Sequence, residues 1–383
     1  MHRRLTHLMK YLCCLSATAV PAQDLMQTVT LAPSADGGEV MPLTGRVLAE
    51  VPNGSLLLEE RSGQLHNLTP KQFTARAARL DAFSYLPPDE MATLLLQQTG
   101  GGTAIHQTEH FVICSDASEL YTAFCGRLLE KVVVEYLKFF EDSDIQLKKI
   151  TAKLPVLIFR DTARFQEFAQ RQHPDTDFSD VPGYYSVRDN QMLITAISGD
   201  REFRTNSDVV RELKKKPRQV ETIVHEAVHQ LTFNTGLQVR FADNPMWLSE
   251  GLAVFFERAS GRSSTIWSRP GEVSRIHLPG FQAATSRNRL RLPLSQLLES
   301  DQVFQSPDQL ADAYAEGWGL TFFLIRSDRA AFDRLLSHLQ NRKPLQPVGT
   351  TTRLAEFETA TGRSLEDFER YFLRYMSRIR TRP

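Results

Sequence analysis

Residues Glu221–Leu231 read Glu-Thr-Ile-Val-His-Glu-Ala-Val-His-Gln-Leu, and this stretch limits the fold more than any other. His225 and His229 stand four apart, so on a helix they lie one turn apart on one face. In that arrangement both can hold one metal ion. At about 100° per residue, Val220, Ile223, Val224, Ala227, Val228 and Leu231 fill a continuous apolar arc. His225 and His229 fall at the edge of the arc, and Glu226 lies further round. The spacing predicts a helix over Val220–Phe233, anchored in a core with its histidines turned to a cleft. Glu226 then sits beside the metal position without being forced to ligate it, the place of a general base for water.

A tetrahedral catalytic site needs a third protein ligand and an open position. Thr235 stands six residues after His229, so no histidine is available there. A second predicted helix, Pro245–Glu257, follows the turn Asn234-Thr-Gly236. Asn244 suits its cap and Pro245 its first turn. Glu250, one turn into that helix, is the candidate third ligand. Asp243 is a rival that precedes the helix. Glu257 lies two turns beyond Glu250 and is expected to be solvated.

His-Glu-Ala-Val-His followed by Trp247-Leu-Ser-Glu250-Gly-Leu-Ala resembles the gluzincin metallopeptidases. Within them it is similar to the peptidase MA-like group, which includes a family of exported bacterial proteins. The resemblance extends over roughly residues 105–340, with its specific motifs in 225–257. It implies Zn2+ as cofactor, bound by His225, His229 and Glu250, with Glu226 as base. It also implies a zincin-like α+β domain, with a mixed sheet plus active-site helix and a helical C-terminal lobe. The metzincin branch is excluded, because Thr235 and Thr232 stand where it requires histidine and glycine. Related gluzincins steady the tetrahedral oxyanion with a downstream tyrosine. Tyr314, in Ala311-Asp-Ala-Tyr-Ala-Glu316, is the candidate for that role and Tyr185 a competitor. One departure stands out. Thermolysin-like enzymes carry an acid four residues after the ligand glutamate to orient a ligand histidine, and here that position is Val254. The carboxylate that orients the histidine must come from elsewhere.

Around this centre the chain of 383 residues has room for one large domain or two ordinary ones. Residues 1–22 start basic, continue through the apolar run Tyr11–Val20 and end in small residues, which reads as a secretory signal cleaved after Ala22. Residues 23–44 read as a linker. Residues 45–104 read as a small β module with a helical connector: Asn53-Gly54 and Ser62-Gly63 separate alternating runs. Helical segments are expected there at Lys71–Arg79 and Pro88–Gln98. Residues 45–68 carry no ligand-type cluster, so the metal site is not expected to need them. The catalytic core is expected over 105–260. It includes strands at His110–Cys114 and Leu154–Phe159, a long helix at Ala117–Phe140 and a hairpin at Gly183–Ser198. Residues 261–383 read as a helical lobe, ending in a helix behind Ser364 and Asp367.

Lysine plus arginine and aspartate plus glutamate both number 45, which gives no bulk reason to expect a nucleic-acid partner. No run of eighteen apolar residues occurs, so no integral membrane span is expected. In an oxidising compartment Cys114 and Cys125 could form a disulfide; equally, they could be two buried thiols. The remaining histidines show no ligand spacing and are expected to be structural or solvated. Together these features point to an exported zinc peptidase, periplasmic or extracellular, acting on a peptide or protein substrate. Three alternatives remain. One is a metal-binding but inactive envelope scaffold, and another a zinc hydrolase of a non-peptide amide. The third is a structural protein that works through its β module.

Overall fold

The computed structural model describes residues 25–33, 42–179, 181–196, 203–258, 266–267, 269–285 and 289–380. The expected signal, residues 1–22, lies outside them. The N-terminal module is an antiparallel sheet of β1 (Leu25–Leu31), β2 (Leu43–Glu50), β3 (Leu56–Glu60), β4 (Leu65–Leu68) and β5 (Phe73–Ala82), ordered β4-β3-β2-β1-β5. Two expectations fail here. Part of the expected linker is strand β1, and the expected helix at Lys71–Arg79 is strand β5. Alanine and arginine favour a helix locally, but β5 pairs along most of its length with β1. Beyond Phe73 it buries no residue, so it has no apolar alternation to betray a strand. The module's own core is small: Val29, Leu56, Leu58 and Leu68.

A helix α1 (Pro88–Thr99) leads to the second sheet, built of β6 (Ala104–Gln107), β7 (Phe111–Ser115), β8 (Leu154–Phe159), β9 (Gly183–Ser186) and β10 (Gln191–Thr195). Its order is β6-β7-β8-β10-β9, with β7, β8 and β10 parallel and the outer strands antiparallel. Helices α2 (Glu119–Phe140) and α3 (Thr162–Gln172) make the crossovers. Every residue of β7 and β8 is buried, as expected for strands covered on both faces. One face packs Phe111, Ile113, Val156 and Ile158 against α2 and the helices beyond. The other packs Val112, Leu157 and Leu193 against Phe165 and Phe168 of α3 and against Met91 and Leu95 of α1. The expected division at residue 104 therefore assigns α1 to the module, while its buried side belongs to the second core.

The chain continues through α4 (Asn206–Lys215), α5 (Pro217–Asn234) and α6 (Met246–Glu257). The helical lobe follows with α7 (His277–Thr285), α8 (Leu294–Glu299), α9 (Pro307–Ser327), α10 (Arg329–Gln340), α11 (Thr350–Thr361) and α12 (Leu365–Met376). The Ser364 hydroxyl caps α12 by accepting from the Asp367 amide. The fold is α+β: an antiparallel module, a mixed sheet and a helical C-terminal region. Among the described residues no helix is long and apolar enough to cross a membrane. Cys114 and Cys125 are free, on opposite faces of the second sheet. Burial pushes the Cys125 thiol up to about 12, which makes it unreactive.

Candidate metal centre

Helix α5 buries Val220, Ile223, Val224, Ala227, Val228 and Leu231, the arc read from the sequence. Its far end is fastened to the second sheet. Gln230 Nε2 donates to the carbonyls of Pro155 (3.0 Å) and Asn190 (3.1 Å), and Asn234 Nδ2 donates to Asn190 Oδ1 (2.7 Å). Helix α6 buries nearly every position between Trp247 and Phe256, and only Ser249, Glu250 and Glu257 among its later residues stay accessible. The two helices meet so that Glu250 faces the two histidines.

His225 Nε2 lies 3.1 Å from His229 Nε2 and 3.1 Å from Glu250 Oε2, and His229 Nε2 lies 3.5 Å from Glu250 Oε1. Ligands at about 2.0–2.1 Å around a tetrahedral ion stand about 3.3 Å apart. The three groups therefore already have the spacing of a zinc ligand set, and they are one of two trios of His and Glu among the described residues whose ligand atoms lie within 4.8 Å of one another. In the other, Glu109, His110 and Glu130, Glu130 is occupied by the backbone amide (2.7 Å) and Nδ1 (2.7 Å) of His110.

Glu257 corrects the sequence reading. It is not solvated: its Oε2 lies 2.7 Å from His225 Nδ1, and its side chain is 12% exposed. It is the carboxylate whose place Val254 could not fill. Held at Nδ1, the ring points its Nε2 toward His229 and Glu250. The signal was present in the sequence, since residues seven apart lie two turns along one helix face. What the sequence lacked was the crossing of α5 and α6, which puts His225 beside the C-terminal half of α6. Asp243 is no ligand: it accepts from the Arg353 Nε (2.9 Å) and the Val348 amide (2.9 Å).

Burial alone would discharge His225, yet Glu250 and Glu257 raise its pKa well above the imidazole range. Burial also pushes against ionised Glu250, but His229 and His225 hold it well below the usual carboxylate range. Glu226 differs. Burial raises its pKa, and the fields of His225 and His229 only partly offset this. A carboxylate raised in this way is suited to taking a proton. Tyr314, on α9, lines the same cleft, stacks against His277 at 6.2 Å and has its hydroxyl bonded to Glu250. Tyr185 also reaches the cleft, but its hydroxyl donates to Asn190 (2.7 Å) and so is engaged elsewhere. The cleft encloses about 700 Å³. Its far wall includes β9, a sheet edge that pairs only with β10 among the described residues.

A family model described as a protein of unknown function (DUF1570) matches residues 219–346. The match is about a third of the chain, and it holds all five site residues as well as Glu257. A search of curated proteins finds no match to the chain.

Proposed function

We propose that the protein is a zinc-dependent peptidase. The observation that carries the reading is the convergence of His225 Nε2, His229 Nε2 and Glu250 at ligand spacing, with Glu257 fixing the His225 ring from behind. Zinc held by these three residues would supply Lewis acidity, acidifying a water and polarising a substrate carbonyl. Glu226 takes the proton of the attacking water as its oxygen bonds to the carbonyl carbon. When the carbon–nitrogen bond breaks, Glu226 returns that proton to the leaving amine. Tyr314 donates to the carbonyl oxygen as charge gathers on it. The edge of β9 lines the cleft, with its Tyr185 amide bonded to Glu226, and an extended peptide would lie along it. The retained base favours this reading over an inactive scaffold.

The test is metal analysis of purified protein with a mixed peptide library, with and without chelator. About one zinc per chain is expected, with cleavage that stops on chelation and returns with zinc. A protein that binds zinc tightly and cleaves nothing would leave the scaffold reading standing. Export is part of the same proposal and rests on the pattern of residues 1–22. Mass spectrometry of the natural protein should find an N-terminus at Gln23, and an intact Met1 from the cytosol would refute it.

A further inference from the structure

The module meets the catalytic unit at the wall of the cleft. Arg240 stands in the loop between α5 and α6, with its side chain 10% exposed. One arm of its guanidinium donates to the Gly63 carbonyl (2.7 Å) in the β3–β4 turn and to the Val187 carbonyl (3.3 Å) in the β9–β10 turn. The other donates to Glu59 Oε1 of β3 at 2.5 Å. Glu59 is only 2% exposed and also accepts from Arg46 Nε (2.8 Å) and the Tyr85 hydroxyl (3.0 Å). The β3–β4 turn adds two contacts of its own: the Leu65 amide to the Arg188 carbonyl (2.8 Å) and Gln64 Nε2 to Asp189 Oδ1 (3.1 Å).

A buried carboxylate needs one cation to be neutralised, and Arg46 of the module already supplies it. The second guanidinium comes from the catalytic unit, and what it fastens lines the cleft: Val187 and Arg188 after β9, and Phe241 next to Arg240 itself. Phe241 holds a φ of 60°, a left-handed backbone that a bulky side chain rarely adopts. Such a conformation persists only where its surroundings impose it. On one side it is pinned by the Leu345 amide donating to its carbonyl (2.8 Å), on the other by the Arg240 fork.

We propose that Arg240 is a positioning residue through which the N-terminal β module holds the substrate wall of the cleft in shape. Among the described residues Arg240 and Glu59 make no hydrogen bond to His225, His229 or Glu250, so the clamp acts on the fit of substrate more than on metal binding. That the wall receives substrate rests on the peptidase reading; that the clamp holds it does not.

Two variants test it. Arg240→Met keeps an apolar stem and removes the fork, and Glu59→Gln keeps the shape and removes the charge. Each folded variant should keep about one zinc per chain and exchange the amides of 183–190 and 239–244 about tenfold faster, with α5 unchanged. On a cleavable peptide, KM should rise by a similar factor while kcat stays within about twofold. Native exchange at both segments in either folded variant overturns the proposal, as does a fall in kcat at constant KM. If Arg240→Met does not fold, Glu59→Gln decides alone. A wild type that binds no zinc or cleaves nothing defeats the peptidase reading, and the exchange measurement still judges the clamp.

Discussion

Glu226 and Glu250 lie in the fields of both His225 and His229, Glu257 bonds His225, and the proposed reading gives the three carboxylates three duties. Glu250 is held ionised between His225 and His229, as a ligand must be. Burial raises the pKa of Glu226, which strengthens it as the proposed proton acceptor. Glu257 touches His225 on the side away from His229. Changing Glu226 to glutamine should leave bound zinc near one per chain and lower any hydrolytic rate by about two to four orders of magnitude. Glu250→Gln should lower zinc affinity itself, and His229→Ala should lower it further. Glu257→Gln should cost about ten- to a hundred-fold in zinc affinity, since the His225 ring loses its carboxylate. Zinc and rate measured on the same samples separate the three duties; loss of zinc with Glu226→Gln and not with Glu250→Gln would reverse two of them. The pairing of His225 with His229 was legible because four-residue spacing is a local property of one helix. Glu257 was not, because its role depends on how two helices cross.

Between elements, the closest approach explains a glycine in the second motif. A Cβ on Gly251 would lie 2.2 Å from Thr321 Oγ1 and 2.6 Å from the Gly317 carbonyl, so α6 and α9 touch backbone to backbone. Gly251→Ala forces them apart and should cost about 1–3 kcal/mol of stability. Because Glu250 is its neighbour, zinc affinity should fall with it; unchanged melting and zinc content would show that the contact can relax. On α9, buried Glu316 accepts from the amides of Arg291 and Leu292. Burial pushes its carboxyl up from 4.5 to about 7, and the two amides only partly offset this. Between those values the folded state holds more protons than the unfolded one, so this group's contribution falls as pH rises from about 4.5 to 7, by up to ~3 kcal/mol. Glu316→Gln keeps an acceptor for both amides and cannot ionise. Relative to wild type it should melt higher at pH 8 than at pH 5, and an equal difference at both would exclude the effect. The long helices were readable because each carries an apolar period, and the buried strands β7 and β8 because they are short, nearly continuous apolar runs. Strand β5 has no buried face after Phe73, so its sequence showed only the helical preference of alanine and arginine.

At the scale of the whole molecule α1 joins the two sheets, and the joint decides where the chain can be cut. The sequence reading places the boundary at residue 104, just past three glycines at 100–102 that end a helix. That rule finds the end of α1 but not the core to which α1 belongs. Met91, Ala92 and Leu95 are buried with Val112, Leu157 and Leu193 of the second sheet. Removing Met91 and Leu95 forfeits ~3–6 kcal/mol of apolar burial, much of the ~5–15 kcal/mol a domain has in total. A chain starting at Thr103 should therefore melt far below the full-length protein, or fail to fold, and its zinc should go with it. A chain starting at Leu86 keeps α1 and loses the module. It should fold and hold about one zinc, since among the described residues no hydrogen bond runs from the module to His225, His229 or Glu250, while the cleft wall near Val187 and Phe241 loosens. Thermal melts and zinc content of the two truncations decide the matter. If the chain from Thr103 keeps full stability and zinc, α1 is a connector as the sequence suggested; if the chain from Leu86 folds without zinc, the module supports the metal centre as well as the wall.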